Sequence, residues 1–232
     1  MEEITITQNG FNESYMAYLF SKVKGRFSFL PGDMDLRADG DEMKISLKLQ
    51  SAYCPYVRKF AEENIADVLA IGYKYHYFQS RIHLPLLNKE QQHVLLTALV
   101  AADYKEDKAY IARRIVGFEN YCLDGVFHFR LQRLKHRWEE VIDYVPADMG
   151  ASSMDGFMEF LAEDGEEKLF IKDGKVYDKE YRVLSKSALT GRQSIVAELL
   201  LGGAGEIYCF GQTDQQTTAF LKRYYPTRTV FY

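Results

Sequence analysis

Residues 34–49 read Met-Asp-Leu-Arg-Ala-Asp-Gly-Asp-Glu-Met-Lys-Ile-Ser-Leu-Lys-Leu, and this stretch is the clearest guide to the fold. The dipeptide Asp39-Gly40 separates two runs in which apolar and polar residues alternate. Asp-Gly accommodates the positive φ angles of a tight hairpin turn, and alternation is typical of a strand with one buried face. The sequence therefore predicts a hairpin whose strands lie near residues 34–38 and 43–49.

The segments before this hairpin extend it into a larger unit. Residues 3–7 alternate like a short strand, and residues 11–24 carry apolar side chains at the spacing of an amphipathic helix. Together with the hairpin, they predict a β-α-β-β unit over residues 1–50.

The centre of the chain is predicted to be helical. Pro55 suits a first helical turn, and apolar residues then recur at intervals of three and four as far as residue 81. Asn88, with Gln91 three positions later, has the pattern of a capping box. The further helices expected here span residues 89–102, residues 105–118 and one uninterrupted run from Asp124 to Pro146.

The last third returns to mixed structure. A second Asp-Gly pair, Asp173-Gly174, predicts another hairpin. The glycines between residues 202 and 205 indicate the end of a helix and not a phosphate-binding loop, because a helix precedes them and a strand follows. The remaining expected elements are a helix at 154–162, a helix at 194–201, a buried strand at 207–210, a helix opened by Thr213 and Gln216, and a strand at 229–232.

These elements predict an α+β fold in three parts. The parts are the short β-α-β-β unit at residues 1–50, a central helical bundle at 51–146 and a mixed α/β unit at 154–232. Residues 146–153 contain Pro, Gly and Ser and form the candidate linker. The pattern leaves open whether the strands at the two ends share one sheet.

Composition excludes several classes of protein. The chain has 47% apolar and 27% charged residues and a net charge of −4, which excludes a disordered tail, a coiled-coil rod and a protein that coats nucleic acid. The longest apolar run, residues 94–102, is too short to span a bilayer, and the first residues do not resemble a secretion signal. We therefore expect a cytoplasmic protein without membrane insertion, in which the three widely spaced cysteines are buried thiols.

No motif in the sequence points to a catalytic, cofactor-binding or metal-ligating residue. The histidines lack nearby carboxylates at ligand spacing, and neither HExxH nor GxSxG occurs. The sequence thus predicts no catalytic residue, no cofactor and no metal site, and it leaves enzymatic activity an open question.

One helix has an unusual distribution of charge. Arg130, Arg133 and Arg137 precede the acidic residues of the same helix, which is the reverse of the order that the helix dipole favours. Those acidic residues are Glu139, Glu140 and Asp143. This order has two explanations: an ion-pair face against acidic neighbours inside the fold, or a patch that binds an anion or a partner. Residues 73–81 alternate aromatic and basic side chains, which also has two explanations. The rings either stack on nucleic-acid bases or pack between helices, and packing is favoured.

The segment Gly125–Asp143, Gly-Val-Phe-His-Phe-Arg-Leu-Gln-Arg-Leu-Lys-His-Arg-Trp-Glu-Glu-Val-Ile-Asp, resembles the signature helix of the YtxC-like sporulation protein family. The segment Ala66–Phe78 is similar to that family's helix that ends in an aromatic run, and the first fifty residues and the closing Ile195 segment are similar in position. The last third is shorter after Asp143 than in the family. The resemblance implies a cytoplasmic protein of endospore-forming bacteria that is linked to sporulation. It implies no activity and no catalytic residues.

Three functions are compatible with these patterns. The leading hypothesis is a non-enzymatic interaction protein with a protein partner. The alternative is an RNA- or DNA-binding regulator that uses a basic helix face, with Arg113 and Arg114 joining the three arginines of the charged helix. A third hypothesis, a hydrolase or nucleotide enzyme, requires a concave site with perturbed carboxylates or histidines.

Overall fold

The computed structural model describes residues 1–10 and 13–232 and confirms the α+β class. The strands are β1 (Glu2–Asn9), β2 (Gly32–Asp39), β3 (Glu42–Leu49), β4 (Asn120–Cys122), β5 (Glu167–Lys172), β6 (Lys175–Tyr177), β7 (Ala204–Phe210) and β8 (Thr229–Phe231). The α-helices are α1 (Glu13–Phe27), α2 (Cys54–Asp67), α3 (Lys74–Gln79), α4 (Lys89–Ala102), α5 (Tyr104–Ile115), α6 (Leu123–Gly125), α7 (Gln132–Tyr144), α8 (Ala151–Glu163), α9 (Ile195–Gly202) and α10 (Gln215–Tyr224). Two π-helical segments (Val68–Tyr73 and Val126–Arg130) and a 3₁₀ helix (Lys186–Thr190) complete these elements.

The chain folds into two compact units, and each is built around its own sheet. The N-terminal unit comprises Met1–Lys74 and Lys105–Glu139, and the C-terminal unit comprises Tyr75–Tyr104 and Glu140–Tyr232. The sequence had placed the divisions near residues 50 and 146–153 instead. The strands of residues 1–50 and those of residues 154–232 lie in separate sheets, which answers the question that the sequence left open.

The sheet of the N-terminal unit has the strand order β2-β3-β1-β4. The predicted hairpin is present: β2 and β3 are antiparallel, Asp39 lies opposite Glu42, and Gly40 adopts the positive φ of +58° that the turn requires. One face of the sheet is apolar and packs against α1 and α2. Its fully buried side chains are Ile4, Ile6, Ile45, Leu47 and Leu49. The strand β4, which pairs in parallel with β1, was not predicted.

Both long helices predicted for the centre of the chain contain a π-helical segment; the helix from Pro55 is continuous and is confirmed, whereas the prediction of one helix after Asp124 is wrong because that helix is broken. The run from Pro55 widens into a π-helical segment between α2 and α3. The run after Asp124 becomes α6, a second π-helical segment and α7, with a break at Leu131 (φ −106°, ψ 21°). The two π-helical segments contact each other through the rings of Tyr73 and Phe127, whose centroids are 5.0 Å apart.

A buried ion pair links the helices of the N-terminal unit. Lys74 Nζ donates to Asp107 Oδ2 at 2.7 Å, and both side chains are almost completely buried. The indole Nε1 of Trp138 donates to the same carboxylate oxygen at 2.9 Å. The lone tryptophan therefore adds a second hydrogen bond to Oδ2 of a carboxylate that would be costly to bury alone.

The sheet of the C-terminal unit has the strand order β6-β5-β7-β8. The second Asp-Gly hairpin is confirmed, since Lys172 pairs with Lys175, and Asp173 and Gly174 both have positive φ. The strands β5, β7 and β8 are parallel, and α9 packs on β5 and β7. The side chains on the covered face of β5 and β7 are Leu169, Ile171, Ile207 and Cys209, all buried.

The residues at the helix ends confirm several predictions and show that one predicted cap is wrong. Asn88 and Gln91 form the expected capping box at the start of α4, and Gly203 ends α9 in the left-handed conformation. Helix α10 is capped by Asp214, whose side chain accepts from the backbone N–H of Thr217, and not by Thr213 as predicted. The start of the first predicted helix, at Phe11, lies outside the described residues.

Candidate functional site

The open face of the C-terminal sheet carries aromatic and charged side chains in place of aliphatic ones. Side chains alternate between the two faces of a strand, so residues 168, 170 and 172 of β5 share this face with residues 206, 208 and 210 of β7. The register confirms the match, because Phe170 lies opposite Tyr208. The sequence prediction of a buried strand at 207–210 is therefore half right: Ile207 and Cys209 are buried, whereas Phe210 is 39% exposed.

Five aromatic rings form a continuous group on this face, here called the aromatic row. Its members are Phe170, Tyr181, Tyr208, Phe210 and Tyr232. Neighbouring centroids are 4.9–6.4 Å apart, and the ring planes are inclined by only 7–32°. At the ends of the row, Tyr181 and Tyr232 are 70% and 69% exposed. The row thus presents ring faces to which another planar ring can add.

A strained turn holds Tyr181 at the end of the row. Its φ of +59° is unusual for a bulky side chain with a Cβ. The carboxylate of Asp178 fixes the turn by accepting from the backbone N–H groups of Glu180 and Arg182 and from Arg182 Nε at 2.8–3.0 Å. Partial burial opposes ionisation, but these hydrogen bonds outweigh it and lower the pKa of Asp178. The turn places the Tyr181 ring 4.9 Å from Phe170, and strain of this kind is characteristic of binding sites.

Lysines alternate with the rings along β5. Lys168 Nζ lies 3.1 Å from Glu206 Oε2 and 5.0 Å above the centre of the Tyr208 ring. The hydrogen bond to Glu206 raises the pKa of Lys168 and lowers that of Glu206, so this pair stays charged. Lys172 and Lys175 are exposed, and the described residues give neither an ion-pair partner. The aromatic row is therefore bordered by positive charge that is available to a ligand.

A cavity of about 360 Å³ lies at the Tyr181 end of the row. This cavity, here called the aromatic pocket, is lined by Phe170, Lys172, Asp173, Tyr177, Tyr181 and Phe210. Aromatic side chains form its walls, while an ammonium group and a carboxylate, both exposed, stand at its margin. A pocket of this size with few polar groups suits a planar aromatic ligand with polar edges.

The three arginines singled out in the sequence lie in the N-terminal unit, and the break at Leu131 separates Arg130 from the other two. The Arg130 guanidinium lies 5.6 Å from the centre of the Phe118 ring, and one nitrogen of Arg137 lies 3.8 Å from Asp107. Arg133 is exposed, and the described residues give it no ion-pair partner.

Other candidate residues from the sequence have structural roles or lie apart. Within the run 73–81, the side chains of Tyr75, Tyr77 and Phe78 are buried, which agrees with packing and not with nucleic-acid stacking. Arg113 and Arg114 are exposed on α5. Cys122 is exposed, contrary to the expectation that every thiol is buried, whereas the other two cysteines are buried. No group of three or more metal-ligating side chains occurs among residues 1–10 and 13–232.

The aromatic row was missed because its members come from distant parts of the chain. One signal was visible: residues 168–172 and 206–210 alternate between aliphatic positions and aromatic or charged ones. Such alternation predicts a strand with two different faces, but it does not show that the strands are neighbours.

Comparison with known proteins finds no relative, since no protein-family model, no curated protein and no solved structure matches the chain. Within the described part of the chain, no helix has both the length and the hydrophobicity needed to cross a bilayer. The resemblance to the YtxC-like family stays a prediction, and the functional conclusion depends on the geometry of this chain.

Proposed function

We propose that this protein binds single-stranded nucleic acid on the open face of its C-terminal sheet. The observation that carries the proposal is the aromatic row, whose near-parallel rings end in exposed faces at Tyr181 and Tyr232. Every base has a flat face, so stacking on aromatic side chains favours single strands and tolerates any sequence. This is the nucleic-acid alternative from the sequence, on a different surface from the basic helix that suggested it.

The distribution of lysine favours nucleic acid over a protein partner at this face. Lysine is depleted in the centres of protein–protein interfaces, where aromatic residues are enriched. Here Lys168 and Lys172 flank Phe170 on the same strand; Lys168 is paired with Glu206, and Lys172 supplies the positive charge beside the rings. A single strand likewise presents phosphates beside its bases. The charge and the flat rings of this face therefore both fit a single strand of nucleic acid.

The test is a fluorescence anisotropy titration with labelled 12-nucleotide strands. Oligo-uridine and oligo-deoxythymidine should bind, and a duplex of the same length should bind at least tenfold more weakly because its bases are already stacked. Phe210→Ala combined with Tyr232→Ala removes two rings and should weaken binding by at least tenfold. The matched control is Tyr56→Ala, which removes an equally exposed ring (72%) from α2.

The salt dependence gives a second measure. If Lys172 and Lys175 each contact one phosphate, the affinity should fall about sevenfold between 50 and 200 mM salt, from a slope of roughly −0.7 per contact. The proposal would be contradicted if the protein bound duplex and single strand with equal affinity. It would also be contradicted if Tyr56→Ala weakened binding as much as the double variant does.

The interaction hypothesis remains as a second candidate function for the N-terminal unit. Phe129 is 82% exposed in the second π-helical segment, beside Arg130 and near Arg133. Exposed aromatic and arginine side chains are the residues most enriched at interface hot spots, and the positive charge fits an acidic protein segment. A protein partner captured by the wild-type chain should be lost with Arg133→Glu, and its retention would count against this surface. On the resemblance to the YtxC-like family, we propose that either activity serves sporulation in the cytoplasm.

A further inference from the structure

We propose that the aromatic pocket selects guanine from the bound strand. This inference rests on the proposed function and adds base specificity to it. Along the rest of the aromatic row the charged groups of Lys168 and Glu206 are paired with each other, which leaves mainly ring faces for a base, and stacking does not distinguish the bases strongly. The aromatic pocket differs because Lys172 and Asp173, both exposed, are among its lining residues, so an ammonium and a carboxylate are available to a base held there.

The local backbone explains why these two residues line the same pocket. Lys172 is the last residue of β5 and is on the face that carries Phe170. Asp173 opens the two-residue turn with φ +50°, a conformation that Asp and Asn tolerate better than other side chains. The cross-strand neighbour of Lys172 is Lys175, so the positive charge at this margin exceeds the negative.

The chemistry of the two groups selects among the bases. A carboxylate accepts hydrogen bonds only, and an ammonium donates only. Guanine offers two adjacent donors, N1–H and the N2 amino group, which a carboxylate can bind with both oxygens. Its O6 is an acceptor that an ammonium can reach. Adenine, cytosine and uracil each offer a carboxylate a single donor group on the corresponding edge.

The aromatic walls supply the rest of the binding energy. Tyr181 and Phe170 lie 4.9 Å apart on one side, and Phe210 lies 6.4 Å from Phe170. A purine covers more of these rings than a pyrimidine does, so stacking and hydrogen bonding favour the same base.

The probe is a labelled nine-nucleotide uridine strand with the central base replaced by guanine, adenine, cytosine or inosine. The guanine strand should bind about tenfold more tightly than the all-uridine strand, a ratio within the range for one bidentate contact. Inosine lacks the N2 amino group and should lose most of this preference.

Asp173→Asn is the informative variant. Asn-Gly is as suitable for this turn as Asp-Gly, so the fold is preserved while the carboxylate is removed. The variant is judged by the ratio of its affinities for the guanine and all-uridine strands, which should fall from about ten to about one, because removing a negative charge changes the affinity for every strand alike. The matched control is Asp41→Asn, which removes a carboxylate from the turn of the other hairpin.

The outcomes separate the two proposals. Binding of all strands with equal affinity, or an unchanged guanine preference in Asp173→Asn, overturns the guanine pocket and leaves the proposed function standing. Binding of no strand at all overturns both.

Discussion

Replacing Tyr181 with glycine separates binding from stability. The change removes the outermost ring of the aromatic row, and it also removes a side chain from a residue whose φ is +59°. Glycine suits a residue with this positive φ better than tyrosine does. If the Tyr181 ring only stabilised the fold, we would not expect a tyrosine at this position.

The magnitudes follow from three opposing contributions. Relief of the left-handed backbone gains about 1–2 kcal/mol, loss of the stack on Phe170 costs about 0.5–1.5 kcal/mol, and the greater freedom of glycine in the unfolded chain costs about 0.5–1 kcal/mol. The free energy of unfolding should therefore change by no more than about 1.5 kcal/mol. Binding loses one stacking partner, which is worth about 1–3 kcal/mol, or roughly 5- to 150-fold in affinity.

Urea denaturation followed by circular dichroism measures the stability of the Tyr181→Gly variant, and anisotropy with oligo-uridine measures its affinity. Tyr181→Phe keeps the ring and should match the wild type in both assays. The reasoning is refuted if Tyr181→Gly binds like the wild type, or if it loses more than about 2 kcal/mol of stability.

Three further predictions concern the fold. Asp107→Asn leaves the Lys74 ammonium buried without its counter-charge and should lower the free energy of unfolding by about 3–5 kcal/mol in urea denaturation; a loss below about 1 kcal/mol would contradict a buried pair. Burial lowers the pKa of His93 below 6.5, so the unfolded chain binds more protons than the folded one, and stability should fall as the pH drops below about 6.5. His93→Gln should reduce this slope, and an unchanged profile would exclude His93 as its source. A Cβ at Gly72 would lie 2.7 Å from the Tyr15 ring, so Gly72→Ala should cost about 1–3 kcal/mol by thermal or urea unfolding, whereas helix propensity alone predicts a gain of about 1 kcal/mol.

Local patterns were enough to predict much of the fold. The Asp173-Gly174 turn and the capping box at Asn88 depend on neighbours within a few positions, and both are confirmed. The first hairpin also forms, but its two-residue turn is Gly40-Asp41, because Asp39 pairs with Glu42. The interruption at Leu131 was not predicted, because the helical spacing of apolar residues continues through Leu131. The contact of the preceding turn, between Phe127 and Tyr73, joins residues that are far apart in sequence.

The candidate site was harder to predict than the fold, because its residues are also far apart in sequence. Alternation in β5 and β7 indicates two-faced strands, but only the parallel pairing brings Phe170 opposite Tyr208. The conformation of Tyr181 depends on the hydrogen bonds of Asp178 within a turn that the sequence does not mark. Arg133, by contrast, was singled out from charge order alone and is exposed.

Photo-crosslinking to a single strand tests the central claim most directly. A 5-bromouridine 12-mer is bound to the wild-type chain, irradiated and digested, and the crosslinked peptides are identified by mass spectrometry. We expect the crosslinks at Tyr181, Tyr208, Phe210 and Tyr232. Crosslinks confined to the N-terminal unit, or none at concentrations where the strand is bound, would contradict a nucleic-acid-binding face on the C-terminal sheet.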